Sequence, residues 1–315
     1  MQPVFSILCR KVLLVRFRCI SDDLYNFSIP KLTSITFRIT CFAAVLLLCC
    51  SPPKITLQHS LPDGKDITLD SEEFNRRIAL AEELVQDDQI AWITSDSLSA
   101  KDTLLLDSMD QTWFVILDNK DRYVFYGRFD TATDQYLPKY AFSAHNDAVP
   151  EQMSLAVTEP VHEYARAVAT GVAHLKTVLD SLGFDVSYNH YIRRNSDSSF
   201  TMWFFPAGYN KYCAQGLDIR VIVRANGRSI EKSTILGQFI RYFELNKPEQ
   251  VVKLENPFDS FPSVGNLFFA LNNRQHFDMV SIICTNATYT TFFDNSEERW
   301  IWKLSADSIG SGNDK

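Results

Sequence analysis

The stretch from Ser198 to Leu236 constrains this chain more than any other, because its apolar residues recur with the period of two that a β-strand imposes. Phe200, Met202 and Phe204 alternate with Thr201, Trp203 and Phe205 until Pro206-Ala207-Gly208 ends the run. Leu217, Ile219, Val221 and Val223 then alternate with Asp218, Arg220, Ile222 and Arg224. Those four apolar residues are expected to share one buried face. Asn226-Gly227 is the strongest short hairpin signal in the chain. It predicts a type I′ turn, with positive φ at both central residues, before the chain returns from Ser229 to Leu236.

Two helices flank this sheet core. Asp70, with Glu73 three residues on, forms a capping box that opens a helix through Phe74, Ile78, Ala81 and Val85. It is predicted to end near Asp87-Asp88. The second is the stronger: Thr158 stands at its cap and Pro160 in its first turn, and Gly183 stops it. Between them Val161, Ala165, Val168, Val172, Leu175, Leu179 and Leu182 make one apolar stripe, which must be laid against a sheet. A hairpin joins Trp113–Leu117 to Arg122–Phe129, and 130–157 reads as a loop. Val186 to Arg194 leads into the central stretch. Past a Pro-containing loop at Glu255–Ser263, the runs Leu267–Leu271, Met279–Phe293 and Arg299–Leu304 read as strands. The expected fold class is α+β: a mainly antiparallel β-sheet with two amphipathic helices packed on one face. One domain over 70–306 is expected, with a split near 150 as the alternative, and 307–315 as a tail.

The amino terminus differs in composition. Six of the 31 basic but only two of the 38 acidic side chains fall in the first fifty residues, so the body is more acidic than the formal net charge of −7. Such a body is a poor ligand for phosphate backbones, and no nucleic-acid partner is expected. Five of the seven cysteines (Cys9, Cys19, Cys41, Cys49, Cys50) also lie there, which excludes a disulfide-dense scaffold. Cys213 and Cys284 remain for the body, either paired or as buried thiols. From Lys31 the chain reads KLTSITFRITCFAAVLLLCCSPP. Its apolar run, Ile39 to Cys50, falls well short of the roughly 20 residues that span a bilayer and fits the core of a secretory signal.

A run of this kind ending on cysteine resembles the lipobox of bacterial lipoproteins, in which the cysteine is lipidated and becomes the new amino terminus. With Leu47 three positions upstream, Cys50 fits better than Cys49. The resemblance implies a leader over 1–50, a tether over 51–69, and membrane attachment through a lipid anchor at the bacterial cell envelope, on the outer membrane or its periplasmic face; an uncleaved amino-terminal anchor and plain secretion are the alternatives. The Pro206-Ala207-Gly208 loop with GLDIRVIVRANGRSIEK also resembles strand-loop-hairpin patterns of uncharacterised bacterial envelope proteins, which names no activity.

Catalytic signatures are sparse. Neither HExxH nor paired CxxC units occur, so no metal or other cofactor is expected. The one Glu-x-x-His, Glu159 with His162, reads with Glu163 and Arg166 as a solvated helix face. No serine sits in a GxSxG elbow. His145 with Asp147, His190 with Asp185, and His276 are the weak candidates for a base and its orienting carboxylate. The expectation is a binding or structural module that takes a protein or glycan ligand. The alternative is a secreted hydrolase whose His and carboxylate groups converge from distant positions.

Overall fold

In a computed structural model, the described residues are 72–101, 112–145, 149–154, 158–209, 211–245, 247, 250–296 and 299–306. The leader, Cys49, Cys50, the tether and Asp70 lie outside them, as does Asp147. In chain order the elements are α1 (Glu72–Lys101), β1 (Thr112–Asp118), β2 (Asp121–Asp130), β3 (Gln135–His145), β4 (Glu151–Gln152) and α2 (Glu159–Leu182). There follow β5 (Tyr188–Arg194), β6 (Phe200–Pro206), β7 (Tyr212–Gln215), β8 (Asp218–Val223), β9 (Ile230–Leu236) and β10 (Arg241–Glu244). The carboxyl-terminal part comprises β11 (Val251–Asn256), α3 (Val264–Asn273), a 3-10 turn (Arg274–His276), β12 (Met279–Cys284), β13 (Ala287–Asp294) and β14 (Arg299–Ala306).

Strands β1-β2-β3-β4 form one sheet and β5-β6-β8-β9 a second. Their edge strands β1 and β5 meet side by side, and His190 Nε2 on β5 donates to the Trp113 carbonyl on β1 at 2.7 Å. Helix α2 lies across both sheets, burying Val161, Ala165, Val168, Leu175 and Leu179 on Phe114, Phe125, Ile192, Phe200, Met202, Phe204, Ile219 and Val221. That core takes side chains from both sides of residue 150. Gly171 lets α2 approach closely, since a Cβ there would fall 2.3 Å from Met202 Sδ.

Alternate residues of the same strands face the other way. Val115, Val124 and Tyr126 pack on Ile90 and Leu98 of α1. Tyr191, Trp203 and Phe205 pack with the first half of α1, with α3, and with Val252, Leu254, Val280 and Ile282 of a third sheet, β11-β12-β13-β14. Strand β6 is therefore buried along its whole length. The α+β class with mostly antiparallel sheets stands, but α1 and α2 occupy opposite faces, and a third helix is present. The reason is that β1, β2, β5 and β6 are apolar on both faces, so each face needs its own cover.

Four local expectations are corrected. Helix α1 runs on to Lys101 through Asp87-Asp88, whose side chains are paired inside the protein and stop nothing. Leu267–Leu271 is helical, the centre of α3, which Ser263 caps by accepting from the Asn266 N–H at 3.0 Å. It is the crossover between β11 and β12, a parallel pair, and parallel strands need such a connection. Most of 130–145 is strand β3, paired with β2 around a bulge at Tyr126/Gly127. Met279–Phe293 is two strands.

The hairpin β8–β9 is present, but its loop is longer than two residues: Arg224 N–H donates to Ser229 O, and Gly227 N–H reaches back to Arg224 O. Within that loop only Gly227 has positive φ, at 69°. Ile219, Val221 and Val223 share the face under α2, whereas Leu217, with φ 52°, precedes the strand. Gly227 also touches α2: Thr170 Oγ1 donates to its carbonyl at 2.7 Å, and a Cβ would sit 3.3 Å from Ala167 N. Gly227→Val is expected to cost more than about 1 kcal/mol, through left-handed backbone and this contact. Asn226→Gly forfeits only an exposed bond to the Arg228 N–H and should cost a few tenths at most. Urea denaturation of the two variants checks the order; equal losses would refute it.

Candidate functional site

The buried face of α1 carries the adjacent pair Asp87 and Asp88, 1% and 5% exposed. Asp87 accepts from Arg122 Nε on β2 at 3.1 Å and from Arg193 Nη1 on β5 at 2.6 Å, so one carboxylate ties the helix to both sheets where they meet. Gln86 Oε1 takes a further hydrogen bond from Arg122. Glu83 stands 3.5 Å from Arg193 Nε without hydrogen-bond geometry. Burial works against the Arg193 charge, but Asp87 outweighs it and its pKa is raised.

Asp88 turns the other way. It accepts from the Tyr191 hydroxyl at 2.7 Å and from Asn272 Nδ2 at 3.1 Å, which ties α1 to β5 and to the end of α3. Burial, and next the Asp88 charge, hold the Tyr191 hydroxyl well above its ordinary pKa, so it stays a donor. Two adjoining hollows share Asp88, Trp92, Asn272 and Asn273 as a wall. The inner one, about 100 Å³, is bounded by α1, β5, β6, β7, the start of β8 and α3, and Asn189, Phe205, Tyr212, Cys213, Gln215, Asp218 and Phe268 complete its lining. The outer one is a groove of about 580 Å³ between α1 and the end of α3, lined by Gln86, Gln89, Gln275 and His276 among others.

Asp218 is the unusual member. It is 5% exposed, and among the described residues none donates a hydrogen bond to it. Burial alone pushes its carboxyl up to about 7. It lies against the start of α3, where only glycine fits: a Cβ on Gly265 would fall 1.8 Å from Asp218 Oδ2. The backbone enters β8 through Gly216 and Leu217, both at positive φ, and a non-glycine residue held there costs about 1–3 kcal/mol. Gln215 Nε2 donates to Asn266 Oδ1 at 3.1 Å, while Asn266 Nδ2 is buried without a partner.

The histidine candidates are dispersed. His145 is exposed at the end of β3 and paired with Asp121. His190 is buried under Trp113, at 4.6 Å between rings, and burial pushes it down to about 4, so it is neutral at pH 7. Asp185 is exposed. His276 lies on the 3-10 turn beside Gln275 and reaches the outer groove. No hydrogen bond joins any two of these histidines among the described residues. His162 Nδ1 accepts the Tyr136 N–H at 3.1 Å, Glu163 pairs with Arg194, and Arg166 pairs with Asp134, so that helix face anchors β3 and β5. Cys213 and Cys284 are buried and form no disulfide. Burial pushes the Cys213 thiol up to about 12, which leaves no thiolate for chemistry at neutral pH. Among the described residues no three His, Cys, Asp or Glu side chains are placed to hold a metal ion.

Sequence reasoning passed over Asp88, Trp92, Asn272 and Asp218. Asp218 alternates with buried Ile219 and so reads as solvent-facing, but the start of α3 packs over it, while Arg220 on the same side stays exposed. No family model matches the chain, and no curated protein or solved structure matches it.

Proposed function

We propose that this protein is a binding module of the bacterial envelope, held by a lipid on Cys50, that takes a glycan end in the groove between α1 and α3. The observation that carries the reading is the pair of adjoining hollows walled by amide side chains and by the half-buried Trp92. Gln86, Gln89, Asn272 and Asn273 each offer donors and an acceptor, which suits hydroxyl groups that do both. An indole adds an apolar face for the carbon side of a sugar ring. The dispersed histidines and inert thiols favour binding over turnover. The hydrolase reading is kept by one observation, that Asp88 and Asp218 line a single cavity in different environments, as an acid and a base would.

Calorimetric titration with free mono- and disaccharides tests the groove. Binding should weaken at least about tenfold in Trp92→Ala, by the loss of about 1.4 kcal/mol or more. A Trp92→Ala protein that binds sugars as well as the parent, or a parent that binds none, would overturn it. Turnover of aryl glycosides lost in Asp218→Asn would move the reading to the hydrolase. For the anchor, Cys50→Ser should shift the protein from membranes to the soluble fraction. Retention of Cys50→Ser, Cys49→Ser and the double variant in the membrane fraction would refute a lipid on either residue. No helix among the described residues is long and apolar enough to cross a membrane.

A further inference from the structure

We propose that the inner hollow is a site for the ammonium group of a small amine, so that the ligand of the groove is an amino sugar or a similar amine-bearing polyol. This rests on the groove being a binding site and names the chemistry it selects.

Asp218 carries the argument. A carboxyl buried without a hydrogen-bond donor is costly to keep, and this one opens into a cavity rather than into packed side chains. Asp88 brings a second carboxyl to the same walls, while among the described residues no Lys, Arg or His lines them. The described residues supply no counter-charge, and two acidic groups with no basic one among them select a cation over an anion. Trp92, Phe205 and Phe268 add aromatic side chains to the lining, and aromatic rings suit an organic ammonium better than a strongly hydrated metal ion. Size divides the ligand. At about 100 Å³ the hollow is smaller than a cavity of about 150 Å³ that holds a benzene ring, so it suits an aminomethyl or methylated ammonium group but not a pyranose ring. The ring is left to the groove of about 580 Å³ next to it.

The other titratable groups near Asp218 are Asp88 from α1, Tyr188 from β5, and Tyr212 and Cys213 from β7; α3 and β6 present none. Burial holds the Tyr188 hydroxyl and the Cys213 thiol above their ordinary values, so both are neutral around pH 7. Ionisation of Asp218 thus controls the charge of the hollow at neutral pH. With its carboxyl at about 7, affinity for a permanently charged cation should rise about tenfold from about pH 6 to about pH 8.

The test uses the full chain and four probes: glucose, glucosamine, choline, and 3,3-dimethylbutanol as the neutral isostere of choline. The expected result is glucosamine at least about tenfold tighter than glucose, choline bound and dimethylbutanol not, and both preferences erased in Asp218→Asn. Equal binding of glucose and glucosamine with no choline binding would overturn the proposal and leave the groove reading intact. Choline binding without any sugar binding would keep the ammonium site and sink the groove. Potassium chloride competing as well as choline at equal concentration would make this an inorganic cation site and refute the ammonium assignment. Asp218→Asn that changes thermal stability but neither preference would reduce Asp218 to a partner of the α3 amino terminus, and so would choline affinity that is flat or falling with pH.

Discussion

Asp87→Ala is expected to destabilise the protein by about 3–5 kcal/mol, because it leaves two buried guanidinium groups without their carboxylate. Arg122 and Arg193 keep only 7% and 15% of their side chains exposed, and both direct a nitrogen at Asp87. With the carboxylate gone, Gln86 still accepts from Arg122, and Glu83 lies within ion-pair reach of Arg193 but forms no hydrogen bond to it. Like charges then face each other across the junction of β1 and β5, and water must enter or α1 must lift. Replacing the whole group, as Asp87→Leu with Arg122→Leu and Arg193→Met, should recover much of the loss, since apolar residues of similar volume often match a buried ion group. Urea denaturation of the single and triple variants checks both statements. A single-variant loss under about 1 kcal/mol would show that solvent already screens the group.

Stability between about pH 4 and 6.5 should be nearly flat in the parent protein because two buried groups oppose each other. Folding lowers His190 from 6.5 to about 4, so within that window the unfolded chain binds the extra proton. Its contribution grows as pH rises through the window and is lost as pH falls towards 4. Folding raises Asp218 from 3.8 to about 7, so there the native state holds the extra proton. The stability linked to Asp218 is fully present below the unfolded value and is lost as pH rises towards 7. At 1.36 kcal/mol per pH unit, the two terms have ceilings of about 3 and about 4 kcal/mol. Each variant should unmask the other group. Asp218→Asn should gain stability as pH rises, whereas His190→Gln, which can still donate to Trp113 O, should lose it. The Glu73 carboxyl, held down to about 2 by hydrogen bonds from Arg76 and Arg77, adds stability above its unfolded value of 4.5 and begins to lose it only at the acid edge of this window. Urea midpoints at about pH 4.5, 5.5 and 6.5 provide the measurement. Two variants as flat as the parent would mean that neither group is as desolvated as its burial implies.

Much of the local structure is legible in the residues. The alternation of Phe200, Met202 and Phe204 with Trp203 and Phe205 fixes β6, and the four-and-three spacing from Val161 to Leu179 fixes α2 with its stop at Gly183. Gly227 is needed at positive φ, although the turn around it is not the primed one. These features depend on neighbours within a few residues, which periodicity records. Leu267–Leu271 shows the limit: a short apolar run buried on all sides has no polar face to reveal whether its period is 2 or 3.6.

The site depends on what lies far along the chain. Asp87 reads as the end of a helix because its partners stand 35 and 106 residues away, on strands whose neighbours in space the sequence does not name. Asp218 reads as a solvent-facing residue because strand alternation tells one face from the other but not whether the second face is covered. The sequence alone therefore determined β1, β2, β5, β6 and β8, the main helix and the class of fold, since each follows from local spacing. Only the tertiary structure decided that α1 continues past its acidic pair and that the second face of β5 and β6 is buried beneath α1 and α3. It alone also decided that two carboxyls meet in one hollow, because burial of a charge is set by whatever element happens to pack over it.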